Sequence, residues 1–341
     1  MTDLSFDVLR RLADGEFHSG PTLALGLGVS RATVWNTVRA IVNAGLDVYK
    51  VRGRGYRLAH PISLLDTGAI AAGAGAYSNR WTVEVLSKVD STNTRLMHRA
   101  AEGAASGTVI AAEWQQTGRG RMGRRWQSGP GGALTFSALW RFAVGAAALG
   151  GLSLAAGIAL IRALKELGTD EARLKWSNDV LWQGRKLAGM LIEMQGDALG
   201  PSAVVFGIGV NVRLSEAVAS RIDQPSTDLE AVCGRTLDRN VVLGTILAQL
   251  ASVLDRFEET GFAAMREEWQ CYHLHQGQTV ALKLPTGRVE EGVALGVADD
   301  GALLFQNSGV VRRMHSGEIS LRSTLTDRLR GGAKQRDRRN T

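Results

Sequence analysis

The chain has 341 residues, 45% of them apolar, and a net charge of +7, which is enough for two or three domains with a sizeable core. Cys233 and Cys271 are its only cysteines, which excludes a disulfide framework and argues against a zinc centre. No apolar run reaches the roughly 18 residues that span a bilayer and the start lacks a signal-peptide layout, so the expectation is a cytoplasmic protein with no membrane partner.

In chain order, Val8, Leu9, Leu12 and Ala13 recur at helical spacing and predict a first helix. Gly20-Pro21 opens a second, with Leu23 and Leu27 inside. Gly28-Val29 is a tight turn, and Ser30 is the N-cap of a third helix running from Arg31 to about Ala44. Val34, Val38, Ile41 and Val42 are expected inside, and Arg31, Thr33, Asn36, Thr37 and Arg39 outside. Val48–Val51, the turn Arg52-Gly53-Arg54-Gly55 and Tyr56–Leu58 read as a hairpin with a basic tip. This is a winged helix-turn-helix pattern, with a polar helix suited to a major groove and Arg52 and Arg54 suited to phosphates. Residues 1–60 hold eight Lys and Arg against five Asp and Glu, which favours DNA over the alternative use of such a fold, protein contacts.

Pro61 and the small-residue stretch Gly68–Ala76 mark the first junction, and strands and helices then alternate to about residue 270. The apolar stretch Gly145–Leu164 suits a buried helix. After an apolar strand, Thr108–Ala112, comes Glu113-Trp114-Gln115-Gln116-Thr117-Gly118-Arg119-Gly120-Arg121-Met122-Gly123-Arg124-Arg125-Trp126. Gly118–Gly123 fits the dinucleotide fingerprint, but Gly129-Pro130 breaks the helix that must follow, and no Asp or Glu occurs between Arg125 and Glu166. Glycines that admit backbone N–H groups, set among four arginines, suit two anionic reactants such as a carboxylate and a phosphate. A basic surface loop or a nucleic-acid loop remains open on this segment alone.

Leu174–Trp182 reads as strand, turn and strand, and after Gln183-Gly184-Arg185 a further strand runs from Lys186 to Glu193. That hairpin is expected to bring Lys175, Asp179 and Lys186 toward one site, where the lysines can neutralise phosphate charge and Asp179 can bind Mg²⁺ or orient a lysine; an ordinary hairpin with surface lysines remains open on this segment alone. From Gly277 onward, Thr279–Leu284, Gly287–Ala294, Ala302–Gln306 and Val310–Met314 predict a small SH3-like β-barrel. The segment 324–341 is basic, lacks an apolar pattern after Leu329, and is expected to be a disordered tail.

Gly118-Arg119-Gly120-Arg121, Lys175-Trp176-Ser177-Asn178-Asp179 and Arg185-Lys186-Leu187-Ala188-Gly189 together resemble the biotin–protein ligase family, as do Val89-Asp90-Ser91-Thr92-Asn93 and Gly207-Ile208-Gly209-Val210-Asn211. Gly15-Glu16-Phe17-His18-Ser19-Gly20 and Arg54-Gly55-Tyr56 resemble the subgroup that doubles as biotin-operon repressors. The likeness runs, in order, over roughly residues 5–323. It implies an α+β protein: a winged helix-turn-helix at 1–62, a mixed α/β ligase domain of the biotin/lipoate type at 66–272, and the SH3-like domain at 273–323, which in similar proteins assists ATP and acceptor engagement.

The resemblance further implies that Ser91, Thr92, Asn93, Gln115, Gly118, Arg119, Gly120, Arg121, Lys186 and Gly189 bind biotin. Trp126, Lys175, Asn178, Asp179 and Asn211 serve ATP or the adenylate, and Lys186, Arg119 and Arg121 serve catalysis. Ser30, Arg31, Thr33, Asn36, Thr37, Arg39, Arg52 and Arg54 meet DNA, and Asp179 is the candidate Mg²⁺ ligand. The implied substrates are biotin and ATP with Mg²⁺. The implied partners are a biotin carboxyl carrier protein, as in acetyl-CoA carboxylase, operator DNA, and a second copy in a ligand-dependent homodimer. Family members commonly have proline where this chain has Ser177, a change expected to remove no functional group. Two alternatives are a biotin-sensing repressor without ligase activity and a ligase for a related acid such as lipoate. The intact Lys186 and arginine loop oppose the first; the arginine loop and Ser91-Thr92-Asn93 oppose the second.

Overall fold

Leu9, Leu12, Leu23, Val34, Val38, Ile41, Tyr56 and Leu58 are buried together, and they close the first unit of the chain. In this computed structural model, which describes residues 1–284, 288–315 and 320–323, that unit contains helices α1 (Asp3–Leu12), α2 (Gly20–Leu27) and α3 (Arg31–Asn43) and the hairpin β1 (Val48–Val51) and β2 (Gly55–Leu58). Ser30 caps α3, its hydroxyl accepting from the Thr33 amide at 3.1 Å. Two expectations on α3 are corrected. Thr37 is buried and donates to the Thr33 carbonyl, whereas Val42 is 46% exposed. The stripe that faces the core is 34, 37, 38 and 41, the i, i+3, i+4, i+7 row, and residue 42 falls at its edge.

The small-residue stretch expected to be a junction is instead helix α4 (Thr67–Ala74), capped by Asp66. Its composition reflects close packing: a side chain at Gly244 would lie 2.4 Å from the Gly73 backbone, so the two helices cross nearly in contact. The linker proper is residues 63–66, and it is pinned. Buried Arg239 donates to the Ser63 carbonyl at 2.6 and 2.9 Å and to Glu113 at 2.5 Å. The other Glu113 oxygen accepts from the Leu65 amide, and Asn240 holds Leu64 and Asp66. Trp114, next in the chain, packs with Ile62 and Leu64 against the first unit's core.

The central sheet has seven strands: β3 (Thr82–Leu86), β4 (Thr108–Ala112), β5 (Ala133–Phe142), β6 (Arg173–Lys175), β7 (Asp179–Trp182), β8 (Arg185–Gly196) and β9 (Ser202–Asn211), in the spatial order β3-β4-β5-β9-β8-β7-β6. Only β3 and β4 run parallel. The long apolar runs of β5 and β9 follow from their central place, covered on both faces. On one face lies α5 (Thr92–Ala101), with Leu96 and Ala100 against Ile110, Leu139 and Val205. On the other lie α6 (Leu152–Glu166) and α9 (Arg239–Thr260), which pack on each other and, in α9's case, on α4. The α9 helix is long and apolar enough to cross a membrane by length and composition. Here that character reflects its place in the core, where Leu243, Leu247, Leu250 and Leu254 are buried. Short helices α7 (Glu216–Ala219) and α8 (Leu229–Cys233) precede it.

Helix α10 (Arg266–Tyr272) leads to β10 (Gln278–Lys283), β11 (Val289–Val297), β12 (Leu303–Asn307), β13 (Val310–Met314) and β14 (Ser320–Ser323), an antiparallel sheet ordered β13-β12-β11-β10-β14. The fold class read from the sequence holds, with β14 added. The basic segment 324–341 and Gly287 lie outside the described residues.

At the entrance to this sheet His273 and His275 are buried with their rings 6.1 Å apart, and His273 stacks on Trp269. Burial pushes each down to about 4, helped at His275 by His273 and Lys175. Between pH 6.5 and 4 the unfolded chain therefore takes up protons that the native chain refuses, so stability falls as pH falls through that window. The expected loss is about 2 kcal/mol per histidine by pH 5. Urea midpoints at pH 7 and pH 5 measure it. Replacing both histidines by glutamine should shrink the difference, and an unchanged pH slope would refute the assignment.

Candidate active site

The sheet's concave end opens into a cavity of about 380 Å³. Nearly every residue expected from the sequence to bind biotin or ATP lines it: Ser91, Thr92, Asn93 and Gln115; Arg119, Gly120, Arg121 and Trp126; Lys175, Asn178 and Asp179; Lys186, Gly189 and Asn211. Gly118 is the exception. It sits behind the wall, where a side chain would meet the Trp126 carbonyl at 2.7 Å.

Part of the lining is a closed polar network. Ser91 caps α5, and the Gln115 carbonyl oxygen accepts from the Thr92 amide at 2.7 Å and from its hydroxyl at 2.9 Å. Ser137, which the sequence reading missed, donates to Thr92 Oγ1 or Asn93 Oδ1, at 2.8 and 2.5 Å. Asn93 in turn donates to the Leu191 carbonyl and to Glu193. Gly207 and Gly209 on β9 make room: side chains there would strike Asn93 and the Trp126 ring at 2.0 and 2.6 Å. Phe136, Trp126, Met190, Leu191 and Ile208 supply an apolar wall.

The lining is also strongly cationic. Arg119, Arg121, Arg124, Arg125, Lys175, Lys186 and Arg221 line the cavity, against the carboxylates of Asp179 and Asp223. Lys186 Nζ lies 2.7 Å from Asp179 Oδ1, with both side chains mostly covered. The backbone of Lys186 is fixed on both sides, its amide donating to the Pro225 carbonyl and its carbonyl accepting from the Thr227 amide, each at 2.9 Å. Arg119 is engaged bidentately by Glu193 at 2.8 and 3.1 Å. Arg121 donates to the Ser177 hydroxyl and to Asn178 Oδ1. Burial lowers the Arg121 pKa, Asp179 opposes that effect and Arg124 adds to it. Ser177, where family members commonly have proline, thus adds a hydroxyl that accepts from Arg121.

Asn211 donates to the Thr227 carbonyl, while its own side-chain oxygen is buried without a partner. The segment Arg221–Ser226 escaped the sequence reading because it has no periodicity and no recognisable motif; its wall of the cavity exists only because β8 pairs with it at Lys186. Among the described residues no three His, Cys, Asp or Glu side chains gather to hold a metal. Asp179 and the unpartnered oxygen of Asn211 are hard oxygen donors of the kind that suit a magnesium ion held mainly by phosphates and water.

On the winged helix, Arg31, Asn36 and Arg39 are exposed along α3, and Arg52 and Arg54 at the hairpin tip. Arg54 folds back over the Phe17 ring at 4.2 Å, and Trp35 carries Arg39 at 4.6 Å. Thr37 faces inward and leaves this set.

Comparison with known proteins places these features. Residues 85–211 match the biotin/lipoate A/B protein ligase family, residues 5–57 a helix-turn-helix domain, and residues 275–322 the biotin protein ligase C-terminal domain. The chain is 38% identical to the bifunctional ligase/repressor BirA of Salmonella typhimurium, over 94% of this chain and 98% of that one. It is 32% identical to a biotin–[acetyl-CoA-carboxylase] ligase of Mycobacterium tuberculosis, over 72% and 91%. The solved biotin protein ligase of Aquifex aeolicus in complex with biotin and ATP superposes with a TM-score of 0.62 at 31% identity, covering 71% of this chain and 99% of that one. With the winged helix, the arginine loop and the paired Lys186 and Asp179 in place, the chain belongs to the biotin–protein ligase family, in its bifunctional ligase/repressor branch.

Proposed function

We propose that the cavity carries out both half-reactions of protein biotinylation. A biotin carboxylate oxygen attacks the α-phosphorus of ATP; the bond to the β-phosphate breaks and pyrophosphate leaves. An acceptor lysine amine then attacks the carbonyl carbon of biotinyl-5′-AMP, and AMP leaves. No side-chain nucleophile is required, because the substrate carboxylate is the first nucleophile.

The observation that carries this reading is a single cavity lined both by neutral polar and apolar side chains and by a dense set of arginines and lysines. Ser91, Thr92, Asn93 and Gln115 suit an uncharged ureido head and the apolar wall suits an alkyl chain. Arg119, Arg121 and Lys186 suit the carboxylate and phosphates that must be held together against their repulsion. Trp126, Lys175, Asn178 and Asn211 surround the nucleotide. Asp179 and the Asn211 side-chain oxygen would meet a magnesium ion bound to ATP, which would supply charge neutralisation on the phosphates. The acceptor is the lysine of a biotin carboxyl carrier protein. On the winged helix, Arg31, Asn36 and Arg39 read the major groove and Arg52 and Arg54 hold phosphates. A homodimer formed on the adenylate would place two such modules on a two-fold operator.

Incubation with labelled biotin, MgATP and a biotin carrier domain should transfer one label to the carrier lysine. Labelled lipoate in parallel should transfer at least tenfold less. Equal transfer of both, or of neither, would refute the reading.

A further inference from the structure

The turn from Lys175 to Asp179 sends its residues to several partners, two of them to the same one. Lys175 faces the cavity. The Trp176 indole is buried and donates to the Gly301 carbonyl of the C-terminal sheet at 3.0 Å. Asp179 is taken up by Lys186. Ser177 and Asn178 both hold the same partner, the Arg121 guanidinium. Asn178 is itself locked, its amide nitrogen donating to the Met190 carbonyl at 2.7 Å.

The two loop arginines are thus held in opposite ways. Arg119 is bonded by an anionic carboxylate, Glu193, at 2.8 Å. Arg121 is bonded by a hydroxyl and an amide oxygen, which fix its direction and leave its charge in place. A guanidinium offers five donors in a rigid fork, so two neutral acceptors on one edge leave the other donors for a ligand. We propose that Ser177 is a positioning residue: its hydroxyl, with the Asn178 amide, holds Arg121 over the cavity without neutralising it and so sets how long the adenylate stays bound. This rests on the reading of the cavity as the adenylate site.

The test is a double-mutant cycle on release of preformed biotinyl-5′-AMP, with labelling of a bystander protein such as serum albumin as a second readout. Arg121→Gly should speed release and raise bystander labelling. Ser177→Ala should speed release about tenfold, as expected for losing one of two bonds to a charged group. In the Arg121→Gly background, Ser177→Ala should add less than twofold, and Ser177→Thr, which keeps the hydroxyl, should stay near wild type. Normal release from Ser177→Ala, when Arg121→Gly is fast, overturns the role of Ser177 alone. Equal acceleration by Ser177→Ala in both backgrounds overturns it too, because the effect would not pass through Arg121. Unchanged release from Arg121→Gly overturns the underlying reading of the loop, and this inference with it.

Discussion

Lys186→Ala is expected to slow adenylate formation by about 10²–10³ while changing biotin affinity only a few fold, the size found when a preorganised donor to developing charge is removed. The asymmetry follows from where the side chain sits. Its ammonium is 2.7 Å from Asp179 and 5.9 Å from the Trp126 ring, whereas Thr92, Asn93 and Gln115, the groups suited to the biotin head, are bonded to one another or to Ser137. Its backbone is clamped from both sides by residues 225 and 227, so the charge is placed before substrates arrive and needs no reorganisation. Removing it also leaves Asp179 without its ammonium partner. Pyrophosphate release at saturating biotin and ATP checks the rate, and isothermal titration checks the affinity. Adenylate formation at the wild-type rate would show that Lys186 is not where the charge develops.

Deleting residues 1–60 is expected to remove specific DNA binding altogether, a loss of at least about 10³ against a site selected from a random duplex library. All the side chains suited to DNA lie in that unit. Biotinylation should persist in part, because every cavity residue lies at or beyond Ser91. It should be weakened, because Trp114 would lose the core it packs on, and Gln115 follows directly. Within the module, Arg31→Ala should lower specific binding, and Arg52→Ala or Arg54→Ala should reduce the salt slope by about 1. Sedimentation of the full chain with biotin and MgATP should show a dimer absent without them. Retained specific binding by the truncated chain would overturn the domain assignment; a monomer in both conditions would overturn only the ligand-dependent dimer.

Much of this was legible in the sequence because the relevant signals are local. The α3 cap, the hairpin turn at Arg52–Gly55 and the Lys175–Glu193 hairpin are each set by residues a few positions apart, and they brought Lys175, Asp179 and Lys186 together as expected. What escaped depends on distant partners. Gly68–Ala76 looks like a linker until Gly244, far along the chain, is seen to need a small surface. Ser137 is an ordinary strand residue until β5 sets it under Asn93. Arg221–Ser226 becomes a cavity wall only by pairing with β8. Thr37 was misplaced by chemistry rather than distance: a hydroxyl that bonds back to its own helix can be buried.

The pinned linker fixes where this chain can be divided. A shortened ligase beginning at Ser63 would keep the carbonyl and hydroxyl that receive Arg239, and the Leu65 amide that meets Glu113. One beginning at Thr67, where regular structure resumes, would strip those partners from a buried ion pair, at a cost of about 1–3 kcal/mol for each unmet group. The seam between the two activities therefore lies at residue 62. A swap of DNA-binding heads between enzymes of this kind, by breeding or by recombination, should tolerate a crossover just before Ser63 and fail a few codons later.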